Sequence, residues 1–289
     1  MITIQEYLQQ QHPPSTIKSY TREINIYLQQ HPQAARYGYK EVMQYIGELR
    51  SKYDNPKNIH RILQAVKKYY NYLHYTGQRK DNPAKAIRLR DNKTKDIQLQ
   101  DLFTAAELQQ LLQPSEERYP FLAIRNKVIM SLLVNQAVKI GEMAQLEINH
   151  VQLNEGTIFI PGTGHTNKRI LQLKAEQVML LHDYISEARP KLITARTNSD
   201  KLLLSKTGRA LGVAEIQYLV ETFKHLFPQK HLTAQTIRMS VIMGLLNAGN
   251  DVRVVQVFAG HMHPDTTEKY KQTHIETLKT EIQKHHPLQ

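Results

Sequence analysis

The chain of 289 residues contains no cysteine. This absence excludes disulfides, thiolate metal sites and a cysteine nucleophile, and it suits a reducing compartment. The sequence also lacks any run approaching the ~20 apolar residues of a membrane span, because its most apolar stretch, residues 127–134, is broken by charge. Its polar start has no apolar run of signal-peptide length. These absences predict a soluble cytoplasmic protein.

Clustered metal ligands are also lacking. The closely spaced histidines are His261 with His263 and His285 with His286. Neither pair has a carboxylate or thiol partner at ligand spacing, so we predict no metal site and no cofactor.

Basic residues are in excess. Lys and Arg outnumber Asp and Glu by 38 to 26, and the pI is near 9.6. Most of the excess lies in residues 1–101, where the counts are 17 and 9. A polyanion is the expected partner of such a chain. The positive charge of the first third of the chain is typical of a DNA-binding module. Candidate phosphate contacts there are Lys18, Arg22, Lys57, Arg61, Lys67, Lys68, Arg79 and Lys80.

Apolar periodicity divides the chain into two domains. In residues 1–89, apolar side chains recur at helical spacing and predict a bundle of four short helices. Residues 90–101 are polar without periodicity and indicate a linker. In residues 102–289, a long helix over 121–137 precedes short strands over 148–153, 157–160 and 169–173. Further helices are predicted near 175–188, 212–226, 233–248 and 252–258.

Three functional groups near the C-terminus suggest a chemistry. Arg238 lies 23 residues before His261, and Tyr270 lies 9 residues after it. A phenol supplies an oxygen nucleophile, a guanidinium supplies a fork for two phosphate oxygens, and an imidazole donates or carries a proton. Together these groups suit attack on a phosphodiester.

This segment resembles the C-terminal signature of the tyrosine recombinases, the phage integrase family. Residues 70–89 are similar to the end of that family's N-terminal core-binding domain, in which an Asn-Pro turn, here Asn82-Pro83, leads to a short helix. The resemblance implies a mainly α fold, with a SAM-like helical core-binding domain and a mainly α catalytic domain that carries a small antiparallel sheet. It also implies that Tyr270 attacks the scissile phosphate and leaves a 3′-phosphotyrosyl link, while Arg238 and His261 assist.

Several positions depart from the family pattern. Lys139 stands where the first catalytic arginine is expected, 99 residues before Arg238, and it keeps the charge without the bidentate fork. Glu142 is expected to hold this cation. Gln235 replaces a histidine and retains only hydrogen bonding.

The family's general-acid lysine belongs in the turn between two strands, here residues 161–169. Thr163 or His165 occupies the usual position, and Lys168 follows later on the same hairpin. Lys168 is the first candidate for the acid that protonates the 5′-oxygen, and His165 is the second.

The resemblance implies a site-specific recombinase or integrase of a mobile element or chromosomal system, associated with the nucleoid. Its partners are expected to be double-stranded DNA and further copies of itself, in a tetramer on DNA. The stripe of Ile275, Leu278 and Ile282 is expected to dock on a neighbouring protomer or on its own domain. Two alternatives stay open, namely a non-catalytic accessory DNA-binding protein of the same fold and a relaxing activity of the type IB topoisomerase kind.

Overall fold

The computed structural model describes residues 2–90, 101–113, 119–193 and 199–270. Contacts divide the chain into two compact units, Met1–Thr94 and Lys95–Gln289. The division falls inside the predicted linker, of which residues 91–100 lie outside the described part, as does the predicted docking stripe after Tyr270. No helix among the described residues combines the length and the apolar character needed to cross a membrane.

The N-terminal unit contains the four predicted helices. These are α1 (Ile4–Gln9), α2 (Pro14–Gln30), α3 (Tyr39–Lys52) and α4 (Pro56–Tyr75). Helices α2 and α4 each begin with proline, whose missing N–H costs nothing at that position. The apolar faces meet in one core that also encloses the hydroxyls of Tyr27 and Tyr70, 2.8 Å apart. Tyr70 donates onward to the carbonyl oxygen of Ala34, so both buried hydroxyls are satisfied.

The short helix expected after Asn82-Pro83 is absent, and residues 83–86 form turns instead. The side chain of Asn82 accepts a hydrogen bond from the backbone N of Ala84 at 2.9 Å. Its amide donates to Asn71 Oδ1 at 2.7 Å and to the carbonyl oxygen of Lys67 at 3.1 Å. Side-chain bonds to α4 therefore hold this segment in place of a helical ladder.

The C-terminal unit is mainly helical with one small sheet. Its helices are α5 (Ala105–Gln110), α6 (Pro120–Gln136), α7 (Ile140–Met143), α8 (Ala175–Asp183), α9 (Val213–Thr222), α10 (Ala234–Asn247) and α11 (Val252–Ala259). Residues 128–134 of α6 are all buried, and this pattern is typical of a helix in the centre of a core. It packs against α8, α9 and α10.

The sheet consists of β1 (Val151–Gln152), β2 (Thr157–Ile160) and β3 (Arg169–Gln172), antiparallel in that order. Ile158 pairs with Val151 on one side and with Leu171 on the other. The first strand is shorter than predicted, because residues 148–150 form a 3₁₀ turn in which the backbone N of Glu147 donates to His150 Nδ1 at 3.0 Å. The predicted helix over 175–188 is an α-helix only to Asp183 and then becomes a π-helical turn.

Candidate active site

A cavity of about 280 Å³ in the C-terminal unit brings together four separate parts of the chain. These are the junction of α6 and α7, the turn between β2 and β3, the start of α10, and the segment after α11. Five of the six predicted catalytic residues line the cavity, and Lys168 is the exception. The lining residues are Lys139, Gly164, His165, Gln235, Arg238, His261, Met262, His263, Thr266 and Tyr270.

Arg238 is held by backbone carbonyls from two other segments. Its side chain projects from α10 and is 1% exposed. Nη1 donates to the carbonyl oxygen of Ala137, and Nη2 donates to that of Ala259 at 2.5 Å. Burial lowers the pKa of Arg238 to about 10, so the guanidinium is charged at neutral pH. The cation is thereby fixed with little freedom to reorient.

The carbonyl of Ala137 reaches Arg238 because the chain turns sharply at the end of α6. Ala137 is fully buried, and its φ of 49° places it in the left-handed region, which costs a non-glycine residue about 1–2 kcal/mol. The same turn delivers Lys139 to the cavity two residues later.

His261 follows the C-terminal cap of α11. Gly260 caps that helix with a φ of +67°, and the His261 ring is buried with Nδ1 2.8 Å from Thr267 Oγ1. Burial, together with the nearby cations of Arg238 and Lys139, lowers the pKa of His261 to about 4. The imidazole is therefore neutral at physiological pH and is able to accept a proton.

Tyr270 lies at the end of a helical segment over residues 264–270. Its ring is 7% exposed and belongs to an apolar cluster with Ile242, Met243 and Val255. The ring is nearly parallel to that of His261, with an interplanar angle of 9° and centroids 6.2 Å apart. Burial raises the pKa of Tyr270, and the charge of Arg238 opposes that rise. The phenol is thus protonated at rest and lines the same cavity as the guanidinium.

Lys139 and Gln235 complete the predicted set on the cavity wall. Lys139 is half-buried directly before α7, and burial followed by the charge of Arg238 lowers the pKa of its ammonium. Its backbone N donates to Glu142 Oε2 at 3.0 Å. Gln235 lies in the first turn of α10 and is exposed.

The expectation that the Glu142 carboxylate holds the Lys139 cation is wrong. Glu142 instead pairs with Arg169, the first residue of β3, through two hydrogen bonds of 2.9 Å. Their side chains are 0% and 2% exposed. Burial alone would raise the pKa of Glu142, but the hydrogen bonds and charge of Arg169 outweigh it and hold that pKa below its ordinary value. The pair lies fully inside the protein.

Arg169 is the residue that sequence reasoning missed. A Cβ on Gly260 would lie 2.5 Å from Arg169 Nη1, so glycine is needed there for close packing against the guanidinium. The sequence does contain a signal: Arg169 and Leu171 occupy alternate positions of a strand and therefore face the same, buried side. An inward-facing charge on a strand requires a buried partner.

The turn between β2 and β3 is fixed against the segment that carries His261. The backbone N of Asn167 donates to the carbonyl oxygen of Gly260 at 3.0 Å, and Thr166 forms a bridge with His261. Within the turn, the hydroxyls of Thr163 and Thr166 are 2.9 Å apart. This arrangement places His165 on the cavity wall, while Lys168 is exposed and is absent from the wall.

The basic residues proposed to contact phosphates in the N-terminal unit differ in how their side chains are held. Lys68 Nζ donates to Gln11 Oε1 at 3.0 Å. Arg79 donates to Asp81 and to the carbonyl oxygens of Ala35 and Tyr37, and Lys67 Nζ donates to the carbonyl oxygen of Ile87 at 2.6 Å. These two side chains therefore donate hydrogen bonds to other groups of the protein itself. Residues with exposed side chains are Lys18, Lys57 and Lys80.

Two of the other basic residues share one acid. The carboxylate of Glu23, 4% exposed, accepts from Arg22 on its own helix and from Arg61 on α4, each at 2.7 Å. The Arg22 side chain is 65% exposed and that of Arg61 is 36% exposed. This carboxylate therefore joins α2 to α4 and fixes two guanidinium groups at the protein surface.

The cavity chemistry suits a phosphate ester. Among the described residues that line the cavity, Lys139 and Arg238 are cations and none is a carboxylate. A neutral imidazole and a phenol lie beside them. Fixed cations without a competing anion favour a bound phosphate and the further negative charge of a phosphorane.

The chain is similar to known tyrosine recombinases. Tyrosine recombinase XerC of Lactobacillus delbrueckii subsp. bulgaricus is 29% identical over 231 residues, which is 78% of this chain and 76% of that protein. Tyrosine recombinase XerD of Oceanobacillus iheyensis is 27% identical over 283 residues, which is 94% of this chain and 92% of that protein.

Solved structures share the fold. XerH site-specific recombinase bound to difH substrate matches with a TM-score of 0.71 at 20% identity, over 91% of this chain and 78% of that one. The Tn1549 transposon integrase in complex with transposon right end DNA matches with a TM-score of 0.69 at 15% identity, over 98% and 99%. The mainly α prediction with a small antiparallel sheet is thereby confirmed. A model of the phage integrase family matches residues 101–276, more than half of the chain, and the protein therefore belongs to that family, the tyrosine recombinases.

Proposed function

We propose that this protein is a site-specific DNA recombinase that cuts and rejoins strands through a 3′-phosphotyrosyl intermediate. The observation that carries the proposal is the convergence of Tyr270, Arg238, His261 and Lys139 on one cavity without carboxylates. Membership of the phage integrase family and the similarity to XerC and XerD support it.

In the proposed reaction, Tyr270 attacks the scissile phosphate. Arg238, fixed by two carbonyls, and Lys139 stabilise the charge of the pentacoordinate transition state. His261 is neutral and able to accept the phenolic proton, while Gln235 positions the phosphate by hydrogen bonding. The energy of the broken phosphodiester is kept in the phosphotyrosyl bond, so rejoining needs no nucleotide cofactor.

Duplex DNA is the proposed partner of both units. The exposed cations of the N-terminal unit, including the guanidinium pair on Glu23, are proposed to contact the phosphate backbone. Such binding is expected to weaken steeply with added salt, because each neutralised phosphate releases counterions. We propose further that the protein acts in the cytoplasm on nucleoid or mobile-element DNA, and as a tetramer on two sites.

The test is covalent trapping. Duplexes selected from a random library by binding to the chain would be nicked next to each candidate phosphate, so that rejoining is blocked. We expect a denaturation-resistant protein–DNA adduct with the wild-type chain. Tyr270→Phe is expected to form none while binding the same duplex with unchanged affinity, because only the nucleophilic oxygen is removed.

The matched control is Tyr218→Phe, which removes a phenolic oxygen from a ring that is 70% exposed and outside the cavity. It should form the adduct at the wild-type rate. An adduct that persists in Tyr270→Phe, or its absence in the wild-type chain on the selected duplexes, would contradict the proposed function.

A further inference from the structure

The leaving group of the proposed cleavage is the 5′-oxygen of a deoxyribose. An alkoxide is a poor leaving group, so the step requires a proton donor within hydrogen-bond reach of that oxygen. The family resemblance points to a lysine of the turn between β2 and β3, yet Lys168 is exposed and absent from the cavity wall. The donor in this chain therefore has to be sought among the residues that do line the cavity.

Most proton-bearing groups on the wall are unsuited to this step. Arg238 already uses two donors on backbone carbonyls, and a guanidinium does not release a proton readily. His261 is neutral and its Nδ1 is engaged by Thr267, which suits a proton acceptor. His165 and His263 have exposed side chains, and no hydrogen bond to another described residue holds either ring in place.

Lys139 differs from these groups in how it is held. Its backbone is fixed by Glu142 through the 3.0 Å hydrogen bond at the start of α7. The Glu142 carboxylate is occupied by Arg169, and within the described part of the chain no other carboxylate forms an ion pair with the Lys139 ammonium. The ammonium therefore reaches the cavity without an ion pair to a described carboxylate, on a backbone that is held firmly. The nearby charge of Glu142 opposes the effect of burial on the pKa of Lys139 but does not outweigh it.

The environment of Lys139 also makes its ammonium a stronger acid. Half-burial disfavours the charged form, and the neighbouring Arg238 acts in the same direction, so the pKa of Lys139 lies below its ordinary value. An arginine at this position would supply charge but would not release a proton at physiological pH. Lysine thus adds a capacity that the family's usual residue lacks.

We propose that Lys139 is the general acid of strand cleavage, in addition to stabilising the phosphorane charge. This assignment rests on the proposed function. As the Tyr270 oxygen forms its bond to phosphorus, the bond from phosphorus to the 5′-oxygen breaks and its electron pair stays on that oxygen. The oxygen takes a proton from Lys139 Nζ, which becomes a neutral amine, and His261 accepts the phenolic proton. In rejoining, the amine takes a proton from the attacking 5′-hydroxyl, the bond from phosphorus to the Tyr270 oxygen breaks, and His261 returns its proton to that oxygen.

The experiment compares two nicked duplexes that differ by one atom. One has the natural 5′-oxygen at the cleavage position mapped with the wild-type chain, and the other has a bridging 5′-sulfur there. A thiolate leaves without a proton, because a thiol has a pKa near 8.5, far below that of an alcohol. A variant that has lost only the general acid should therefore form the adduct slowly on the oxygen duplex and at close to the wild-type rate on the sulfur duplex.

The decisive variant is Lys139→Arg, which keeps the positive charge and removes the transferable proton. We expect adduct formation to slow by about 10²-fold or more on the oxygen duplex, as for loss of a general acid. On the sulfur duplex, its rate should return to within a few-fold of the wild-type rate. Arg238→Lys is the comparison for an electrostatic residue, and it should be slow on both duplexes.

Three results separate the possible failures. A Lys139→Arg rate equal to or above the wild-type rate on oxygen would overturn the assignment, since charge alone would then suffice. Restoration by sulfur in Lys168→Ala or His165→Ala instead would transfer the role to that residue. A wild-type chain that forms no adduct on either duplex would overturn the proposed function itself, and the assignment with it. Binding affinity and thermal midpoint, measured for each variant, confirm that it is folded.

Discussion

Replacing Glu142 by glutamine is predicted to destabilise the C-terminal unit strongly. The substitution keeps the shape of the side chain and removes the charge that Arg169 faces. Because the Arg169 side chain is 2% exposed, its guanidinium cannot turn to water, and its Nε has no hydrogen-bond partner among the described residues. Breaking a buried pair in this way costs about 3–5 kcal/mol. With a slope of roughly 2 kcal/mol per molar urea, the unfolding midpoint should fall by about 1.5–2.5 M.

The assay is urea unfolding of the full chain by circular dichroism, with amide hydrogen exchange in α7 and β3 to assign the transition to this unit. The control is Glu147→Gln, which removes the carboxylate from an ion pair with Lys201 whose side chains are 35% and 28% exposed. This substitution should leave the midpoint within the scatter of the wild-type value, because water replaces the lost partner.

A second comparison separates the effect of the ion pair on stability from the effect of burying two side chains at this place in the core. The double variant Glu142→Leu with Arg169→Met replaces both charges by apolar groups and should be closer to wild type than Glu142→Gln alone. The stability from the pair should be complete above the ordinary Glu pKa of 4.5 and should be lost as the pH falls below it, because the folded-state pKa of Glu142 is lowered. Equal midpoint shifts for Glu142→Gln and Glu147→Gln would refute the reasoning.

Three further outcomes are expected. Gly260→Ala should lower the free energy of unfolding by more than about 2 kcal/mol, because it combines left-handed strain with a clash against Arg169. The control is Gly244→Ala, where a Cβ meets no described atom within 4 Å; it should raise that free energy by about 0.5–1 kcal/mol, and urea midpoints measure both changes. Ala137→Gly should stay within about 1 kcal/mol of wild type, because relief of its left-handed strain offsets the lost methyl group and the added chain entropy, and a much larger loss would argue against that strain. The folded-state pKa of His261 is lowered from 6.5 to about 4, so its contribution to stability should be present above pH 6.5 and should decline as the pH falls towards 4. His261→Gln should flatten that decline when its free energy of unfolding in urea is compared with that of the wild-type chain.

Residue type and spacing were sufficient to predict five residues that line one cavity and most of the elements that carry them. Arg238, His261 and Tyr270 lie on one contiguous segment, and their intervals alone brought them into register with a known pattern. Helix α6 was predictable because its apolar run has no polar face. Such local signals depend on neighbours along the chain, which a sequence shows directly.

Contacts between distant segments were not predictable in the same way. Glu142 was assigned to Lys139 because the two lie three residues apart, yet Arg169 takes its carboxylate from a position 27 residues away. The pairing of Glu142 with Arg169 depends on the inward-facing side chain of Arg169, the first residue of β3. Likewise, the exposed position of Lys168 results from how the turn attaches to Gly260, and no local pattern encodes that attachment.

In the proposed reaction, one phenol attacks a DNA phosphate while cations from distant parts of the chain stabilise the negative charge. The most direct measurement is to digest the trapped adduct with protease and nuclease and to locate the remaining nucleotide by mass spectrometry. We predict a 3′-linked nucleotide on the peptide that contains Tyr270, and specifically on its phenolic oxygen. A nucleotide found on any other side chain, or linked through its 5′ end, would contradict the account.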